Sequence, residues 1–259
     1  MTSNYTEKEV LIIIPAYNER GNLEKLISQL RKPEITQIAD ILVMNDASTD
    51  GTNRLINKNS VAVVTHVFNL GYGSGLQLGY KYAIRRGYRY VIQMDADGQH
   101  DPCNVMRIYE ALKTADASGV YPDIVVGSRF IEGSKPYKMS WLRRGAIGAF
   151  SHLIHLVTGK KIYDPTSGLQ GLSRKTILYY SKYNSFDDRY PDANMIMQML
   201  LLGFTIKETP AVMHMRQSGT GMHHGLMTAV YMFRMVLSIL AVLIRVKLLK
   251  LETGQIDDI

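Results

Sequence analysis

The feature that most restricts the fold of this chain is an alternation of short apolar runs with helix-like segments. Four runs rich in Val, Ile and Leu, each followed by a polar or glycine-containing loop, occur at positions 10–14, 40–44, 61–65 and 90–94. The first intervening segment has apolar residues at helical spacing, namely Leu23, Leu26, Ile27 and Leu30. Apolar runs that alternate with helices are typical of parallel strands buried on both faces. The sequence therefore predicts an α/β fold with a mostly parallel, doubly wound sheet flanked by helices.

The fourth run ends in an acidic motif, Asp95-Ala96-Asp97-Gly98-Gln99-His100. Residues i and i+2 of an extended strand point to the same side, so we expect the carboxylates of Asp95 and Asp97 to project together from the strand end. Open α/β sheets bind ligands at that end. Two carboxylates with a carboxamide behind them suit a hard divalent cation that also binds phosphates. The same residues are also consistent with a plain turn, because Asp-Gly commonly follows a strand.

Chain length and cysteine content set outer limits. With 259 residues, of which 46% are hydrophobic, the chain is long enough for one large α/β domain, with or without a C-terminal extension. Its single cysteine, Cys103, excludes an intramolecular disulfide bond and fits a reducing compartment. The first residues are polar and lack the pattern of a secretory signal peptide, so we expect the protein to begin in the cytosol.

The positive charge of the chain is concentrated in its second half. Residues 1–127 hold 13 Lys/Arg and 14 Asp/Glu, whereas residues 128–259 hold 17 and 9, which gives net charges of −1 and +8. This difference predicts an anionic partner for the second half. Nucleic acid is disfavoured, because the basic residues are not interleaved with aromatic residues as a stacking platform requires. A phosphorylated substrate and an anionic membrane surface remain as candidates.

Four segments, each at the end of a predicted strand, carry a resemblance to a known family. They are PAYNE, NDASTDGT, NLGYG and DADGQH, at residues 15–19, 45–52, 69–73 and 95–100. In this order they resemble the motifs of family 2 glycosyltransferases, and most closely those of dolichyl- and polyprenyl-phosphate sugar synthases, over about residues 8–220. The resemblance implies the GT-A fold, inversion of anomeric configuration and a nucleotide diphosphate sugar as donor.

The same resemblance implies a set of donor-site residues. Nucleotide-sugar binding is expected of Pro15, Tyr17, Glu19, Asp46 and Asp95. Asp46 is expected to bond to a uracil or guanine base, although by its position alone it could also be a helix-capping acid. The cofactor is expected to be Mg²⁺ or Mn²⁺, bound by Asp97 and Gln99 together with Asp95.

Three residues of the second half are implied in phosphate and acceptor binding. Arg129 follows a further apolar run, Ser167 belongs to a Thr-Ser-Gly segment and Arg216 lies in a late Arg/Ser segment. In the family the two arginines face phosphate groups, for which a planar guanidinium is suited. The serine segment borders the acceptor site. This chain has Leu169 and Gln170 after that segment, where the family often has an aromatic and a basic residue.

Asp192 completes the expected catalytic set of Asp97, Arg129 and Arg216. It precedes a predicted helix at a point where many family 2 enzymes have a catalytic base. It equally suits a helix N-terminal acid that interacts with the helix dipole. A sugar hydroxyl needs a base to become a nucleophile, whereas a lipid phosphate is already ionised at neutral pH and attacks directly when it is held in line.

Residues 226–249 form the most apolar long segment. Charged residues interrupt it, and a membrane span needs about 20 apolar residues, so a transmembrane helix is not expected. At 100° per residue one polar stripe contains Arg234, Ser238, Ala241 and Arg245. We expect a helix that lies in a membrane interface with its cations beside lipid phosphates, packs into a homo-oligomer, or packs into the core. Residues 141–157 are a second candidate of this kind.

Together these features predict a peripheral, monotopic glycosyltransferase on the cytoplasmic face of a membrane. Residues 1–222 are expected to form the GT-A domain, and residues 223–259 an amphipathic membrane-interface or oligomerisation helix. The predicted reaction moves a hexose or N-acetylhexosamine from a nucleotide diphosphate sugar, UDP in preference to GDP, to polyprenyl phosphate for cell-envelope glycan synthesis. Two alternatives are a family 2 transferase with a glycan hydroxyl acceptor and a catalytically silent nucleotide-sugar-binding protein.

Overall fold

The computed structural model describes residues 8–58, 61–135, 137–215 and 226–249. Its strands are β1 (Val10–Ala16), β2 (Ala39–Asn45), β3 (Ala62–Thr65), β4 (Tyr90–Gln93), β5 (Ile124–Ser128), β6 (Gln170–Ser173) and β7 (Ile206–Pro210). Its α-helices are α1 (Arg20–Leu30), α2 (Pro33–Thr36), α3 (Thr52–Lys58), α4 (Tyr72–Arg86), α5 (Asn104–Leu112), α6 (Trp141–Thr158), α7 (Arg174–Tyr180), α8 (Ala193–Leu201) and α9 (Leu226–Leu243). A short π-helical turn, Ile244–Leu248, continues α9.

The strands form a single mixed sheet of seven strands in the order β3-β2-β1-β4-β6-β5-β7. β6 runs antiparallel to both of its neighbours, and the other strand pairs are parallel, so the prediction of a mostly parallel sheet is confirmed. The chain moves outward from β1 to β2 and β3 and then returns to place β4 on the other side of β1. Ligands of open α/β sheets bind where the strand order reverses in this way. The carboxyl ends of β1 and β4 therefore mark the expected site.

The continuous apolar sequence of β1 follows from burial on both sides of the sheet. Leu11 and Ile13 pack into one hydrophobic cluster and Ile12 and Ile14 into the other, and all four side chains are inaccessible to solvent or nearly so. Burial of each such side chain contributes roughly 1.5–3 kcal/mol. A strand with one polar face would lose about half of this contribution, which is why the run does not alternate.

Gly73, in the first turn of α4, allows a close contact between this helix and the loop of residues 187–192. A Cβ on Gly73 would lie 2.1 Å from the carbonyl oxygen of Asp187. The backbone amide of Ser74 donates to the carbonyl of Asp188 over 3.0 Å. Because only hydrogen fits at Gly73, the loop of residues 187–192 can lie directly on the N-terminus of α4.

One face of α9 packs on α8 and joins the main core. Met235 and Ile239 of α9 are buried in the hydrophobic cluster that also contains residues of α8. Ser238 accepts a hydrogen bond from Nδ2 of Asn194 (2.8 Å), and Arg245 donates to Oε1 of Gln198 (2.6 Å). The polar stripe thus faces α8 at these two positions, which corrects the expectation that its Arg245 lies beside lipid phosphates. Buried amide side chains on α8 need hydrogen-bond partners, and α9 supplies them.

The opposite face of α9 is apolar and exposed. Phe233, Val236, Leu237 and Leu240 project from it, with Phe233 65% exposed, and Ile244 of the π-helical turn continues the same face. At the start of α6, Trp141 is 84% exposed. Within the described ranges, no helix combines the length and the apolar character needed to cross a membrane.

Candidate functional site

The loop after β1 is fastened to the loop after β2 by side-chain to backbone hydrogen bonds. The amide of Asn18 donates to Oγ of Ser48 (3.0 Å), and the amide of Thr49 donates to Oδ1 of Asn18 (2.8 Å). Asn18 has a φ of 56°, which asparagine tolerates better than most residues do. These bonds fix Tyr17, half of whose surface is exposed, at the open edge of the sheet.

Pro15 and Glu19, the other residues predicted here, flank this exposed tyrosine. Pro15 lies within β1 and pairs with Met44 of β2. Glu19 directly precedes α1, and its Oε2 accepts a hydrogen bond from Nδ2 of Asn22 (2.7 Å). The segment therefore presents one aromatic ring between two residues that are held by the fold.

Asp46 anchors the loop that follows β3. Its Oδ1 lies 2.7 Å from Nδ1 of His66 and accepts from the amide of Leu70 (2.8 Å), while its Oδ2 accepts from the amide of Gly71 (2.9 Å). The acid that bonds to the start of α3 is Asp50, so the alternative interpretation of Asp46 as a helix cap is wrong. A carboxylate has about four acceptor positions, and three are used here. The fourth has no hydrogen-bond partner among the described residues.

Asp95 lies at the end of β4 among three neighbours. The hydroxyl of Tyr72 donates to its Oδ1 (2.9 Å). Its own amide donates to Nδ1 of His100 (3.0 Å), which leaves the proton of a neutral His100 on Nε2, 3.7 Å from Oδ2 of Asp95. A Cβ on Gly168 would lie 2.8 Å from the same Oδ2, so this glycine makes room for the carboxylate.

Asp97 and Gln99 form a compact turn beside Asp95. The amide of Gln99 donates to Oδ1 of Asp97 (3.0 Å). The side-chain nitrogen of Gln99 donates to the hydroxyl of Tyr137 and to the carbonyl of His214 (3.4 Å), which orients the carboxamide. Among the residues that the structure describes, no three His, Cys, Asp or Glu side chains form a metal site. Two carboxylates and an amide oxygen instead suit Mg²⁺ or Mn²⁺ that completes its coordination with water and substrate phosphates.

Arg129 is held in a buried, bidentate ion pair with Asp164. Its Nε donates to Oδ2 (2.7 Å) and its Nη2 to Oδ1 (2.6 Å), and its backbone amide adds a bond to Oδ2 (2.9 Å). Nη2 also donates to Oγ1 of Thr166 (3.1 Å). The Arg129 and Asp164 side chains are 6% and 0% exposed. The guanidinium is therefore fixed in one orientation.

Ser167 is buried and already bonded to the main chain. Its hydroxyl donates to the carbonyl of Gly127 at the end of β5 (2.6 Å). In this arrangement Ser167 fixes the segment that carries Asp164 and Thr166 against the sheet. Its predicted contact with an acceptor remains a prediction.

Asp192 lies in the loop that rests on α4. It immediately precedes α8, but its side chain makes no capping hydrogen bond. Its Oδ2 instead accepts from the hydroxyl of Tyr231 on α9. Burial raises the pKa of Asp192 from 3.8 to about 6; the Tyr231 bond opposes this rise, Asp95 adds to it, and Arg129 and Arg143 oppose it. The carboxylate therefore belongs electrostatically to the same cluster as Asp95 and Arg129.

Arg216, the last predicted site residue, lies outside the described residues. The segment that leads to it is tied to the acidic motif, because the amide of His214 donates to the carbonyl of Gln99 (2.8 Å).

Several residues that hold the site together were not assigned a role from the sequence. Tyr72 and Asp164 stand inside the motifs NLGYG and DPTSG, so their position was a usable signal. His66, Tyr137 and Tyr231 carry no such signal, because each meets its partner only through tertiary packing.

Residues 11–178 match the family model described as Glycosyl transferase family 2. The chain is similar to the undecaprenyl-phosphate mannosyltransferase of Micrococcus luteus, with 31% identity over 65% of this chain and 68% of the relative. It is also similar to the polyprenol monophosphomannose synthase of Mycolicibacterium smegmatis, with 27% identity over 84% of this chain and 82% of that protein.

Among solved structures, the fold resembles glucosyl-3-phosphoglycerate synthase from Mycobacterium tuberculosis, which was crystallised with Mn²⁺, UDP and glucosyl-3-phosphoglycerate. The TM-score is 0.61 with 17% sequence identity, and the match covers 92% of this chain and 79% of the synthase. This similarity confirms the predicted GT-A fold.

Proposed function

The chain belongs to glycosyl transferase family 2, and from this premise we propose that it moves a hexose or N-acetylhexosamine from a nucleotide diphosphate sugar to polyprenyl phosphate. The transfer inverts the anomeric configuration. The observation that carries the proposal is the meeting of the acidic motif, the fixed Arg129 and Asp192 at one edge of the sheet. The names of the two relatives, which include undecaprenyl phosphate and a polyprenol, support a lipid phosphate as acceptor.

The donor half of the site is built by β1, β2 and β4. Tyr17 offers a half-exposed aromatic face for the nucleotide, and the remaining acceptor position of Asp46 suits an N–H of a uracil or guanine base. Asp95, Asp97 and Gln99 would hold Mg²⁺ or Mn²⁺. When bound, this ion supplies positive charge to the departing nucleoside diphosphate. UDP is the preferred nucleotide of the proposal, and GDP is its alternative.

The acceptor half depends on cations of the second half of the chain. A lipid phosphate is ionised near neutral pH and needs alignment more than proton removal. The Nε and Nη2 edge of Arg129 is bonded to Asp164, which leaves Nη1 as the donor that we assign to a phosphate oxygen. Arg216 is proposed as a second phosphate-binding cation.

One observation favours a second candidate, transfer to a glycan hydroxyl. The Asp192 carboxylate makes no capping bond and its pKa is raised by burial to about 6, both of which suit a general base. A hydroxyl acceptor would need that base at every pH at which the enzyme works. A phosphate dianion would not.

We place the enzyme at the cytoplasmic face of a membrane as a peripheral protein. The exposed apolar face of α9 and Trp141 at the start of α6 are suited to the interfacial region of a bilayer. The net charge of +8 in residues 128–259 favours an anionic lipid surface. A second copy of the chain is the other occupant to be tested for the α9 face.

The test is a radiolabel transfer assay with short-chain polyprenyl phosphate, Mn²⁺ or Mg²⁺, and a panel of UDP- and GDP-sugars in which mannose donors come first. We expect metal-dependent label in the organic phase, lost in Asp97→Ala and kept in Asp116→Ala, a variant of an aspartate in the loop between α5 and β5. Asp192→Asn at pH 8 is expected to spare transfer to a lipid phosphate and to abolish transfer to a hydroxyl. No lipid labelling with any donor, together with tight donor binding, would contradict the proposal.

A further inference from the structure

The inner face of α9 brings an aromatic hydroxyl to the site. Tyr231 donates to Oδ2 of Asp192, and its ring packs edge-on against Tyr190 with centroids 5.8 Å apart. Burial, with the neighbouring carboxylate, raises the pKa of Tyr231 far above its usual range. The hydroxyl therefore stays protonated and acts as a donor to Asp192.

The position of this tyrosine is set by polar bonds further along α9. Ser238 bridges Nδ2 of Asn194 (2.8 Å) and Oδ2 of Asp187 (3.2 Å). Arg245 donates to Oε1 of Gln198 (2.6 Å) and adds a bond to the main chain of residue 184. These bonds join α9 to α8 and to the loop of residues 187–192, so a shift of α9 would move Tyr231 relative to Asp192.

Charged and titratable groups from four other elements interact electrostatically with Asp192. They are Tyr72 at the start of α4, Asp95 after β4, Arg129 after β5 and Arg143 on α6. A carboxylate without a fixed partner in such a place tends to pair with the nearest guanidinium. Any arginine that it engages is then less available to a phosphate of the substrate.

We propose that Tyr231 is a positioning residue of the acceptor site, which holds Asp192 away from Arg129, the guanidinium that the acceptor phosphate needs. This inference rests on the proposed function. It makes α9 part of the active centre, although the sequence suggests a separate extension over residues 223–259. The same helix exposes its apolar face on the opposite side, so its seating on α8 links the membrane-facing surface to the site.

The experiment is a double-mutant cycle with Tyr231→Phe, Asp192→Asn and their combination, and with Tyr183→Phe as a matched control at a tyrosine that is 90% exposed. Phenylalanine keeps the ring packing and removes only the hydroxyl. We expect Tyr231→Phe to raise the KM for polyprenyl phosphate about tenfold, with the affinity for UDP unchanged. In the Asp192→Asn background the same substitution should change that KM less than twofold. An equal effect in both backgrounds, or none in either, would overturn the inference.

A second measurement on the same four proteins does not depend on enzyme activity. At pH 8, Tyr231→Phe should lower the midpoint of thermal unfolding in the wild-type background and lower it less in the Asp192→Asn background, because a hydroxyl donates more strongly to a carboxylate than to the neutral oxygen of an amide. An equal drop in both would show that Tyr231 acts through packing alone and would overturn the inference. If the wild type transfers no sugar to lipid phosphate, the proposed function fails, and this unfolding cycle still decides whether Tyr231 acts through Asp192.

Discussion

The buried ion pair between Arg129 and Asp164 allows a quantitative prediction of stability. The substitution is Asp164→Asn, which keeps the shape of the side chain and removes its charge. Both side chains are almost fully buried, and the carboxylate accepts bonds from Nε, Nη2 and the backbone amide of Arg129. The variant leaves a buried guanidinium without its counter-charge and turns an amide nitrogen toward one of its donors.

Loss of one partner from a buried pair costs about 3–5 kcal/mol of unfolding free energy. For a chain of this size each kcal/mol corresponds to about 2–4 °C, so the midpoint should fall by roughly 6–20 °C. Replacement of both partners by apolar residues, as in Arg129→Met with Asp164→Leu, should recover much of this loss because no uncompensated charge is left.

The assay is thermal and urea unfolding followed by circular dichroism. Lys8→Ala is the matched control, because Lys8 pairs with Asp40 at 2.8 Å while both side chains are about one third exposed. Such a pair contributes about 0–1 kcal/mol. If Asp164→Asn unfolds within about 1 kcal/mol of the wild type, or no differently from Lys8→Ala, the reasoning from burial is refuted.

Three further predictions concern packing, membrane binding and pH. Gly73→Ala should destabilise the protein by about 1–3 kcal/mol, since its Cβ would lie 2.1 Å from a carbonyl oxygen. Gly145→Ala on α6 has open space around it and should stabilise the protein by up to about 1 kcal/mol. Urea unfolding measures both changes. Leu240→Ser should reduce co-flotation with anionic vesicles, while Val120→Ser, at an exposed position away from α9, should not. The pKa of Asp192 rises from 3.8 to about 6 on folding, so its contribution to stability is present below pH 4 and is lost as the pH rises through 6. The unfolding midpoint of Asp192→Asn should therefore rise relative to that of the wild type between pH 4 and 7. A constant difference between the two midpoints would contradict this prediction.

Much of the fold could be predicted because burial on both faces leaves a clear mark on a strand. The continuous apolar run of β1 has this mark, as do the strands that pair with it. The antiparallel strand β6 has no such mark, since its sequence is Gln170-Gly171-Leu172-Ser173. Gly171 is needed there because a Cβ would lie 2.2 Å from a side-chain carbon of Ile108, a restriction that becomes visible only when α5 packs on the sheet.

The candidate site shows the same division. The acidic motif and Asp46 could be found from the sequence because each directly follows a strand, and strand ends meet at one edge. The partners that fix these residues are distant in the chain, as with Tyr231 and Asp192, 39 residues apart. The polar stripe of α9 could be identified by its periodicity, but periodicity does not state which face packs on the protein. The stripe faces the protein at Arg245 because this residue donates a hydrogen bond to the buried amide side chain of Gln198 on α8.

The central claim is that a phosphate oxygen of the lipid becomes bonded to the sugar. The most direct measurement is ³¹P NMR of polyprenyl phosphate during turnover with the sugar donor that supports labelling. We predict that the phosphate monoester signal is replaced by a phosphodiester signal, in equal amount to the nucleoside diphosphate released. Release of nucleoside diphosphate with the monoester signal unchanged would contradict the claim and would direct the sugar to water or to a hydroxyl acceptor.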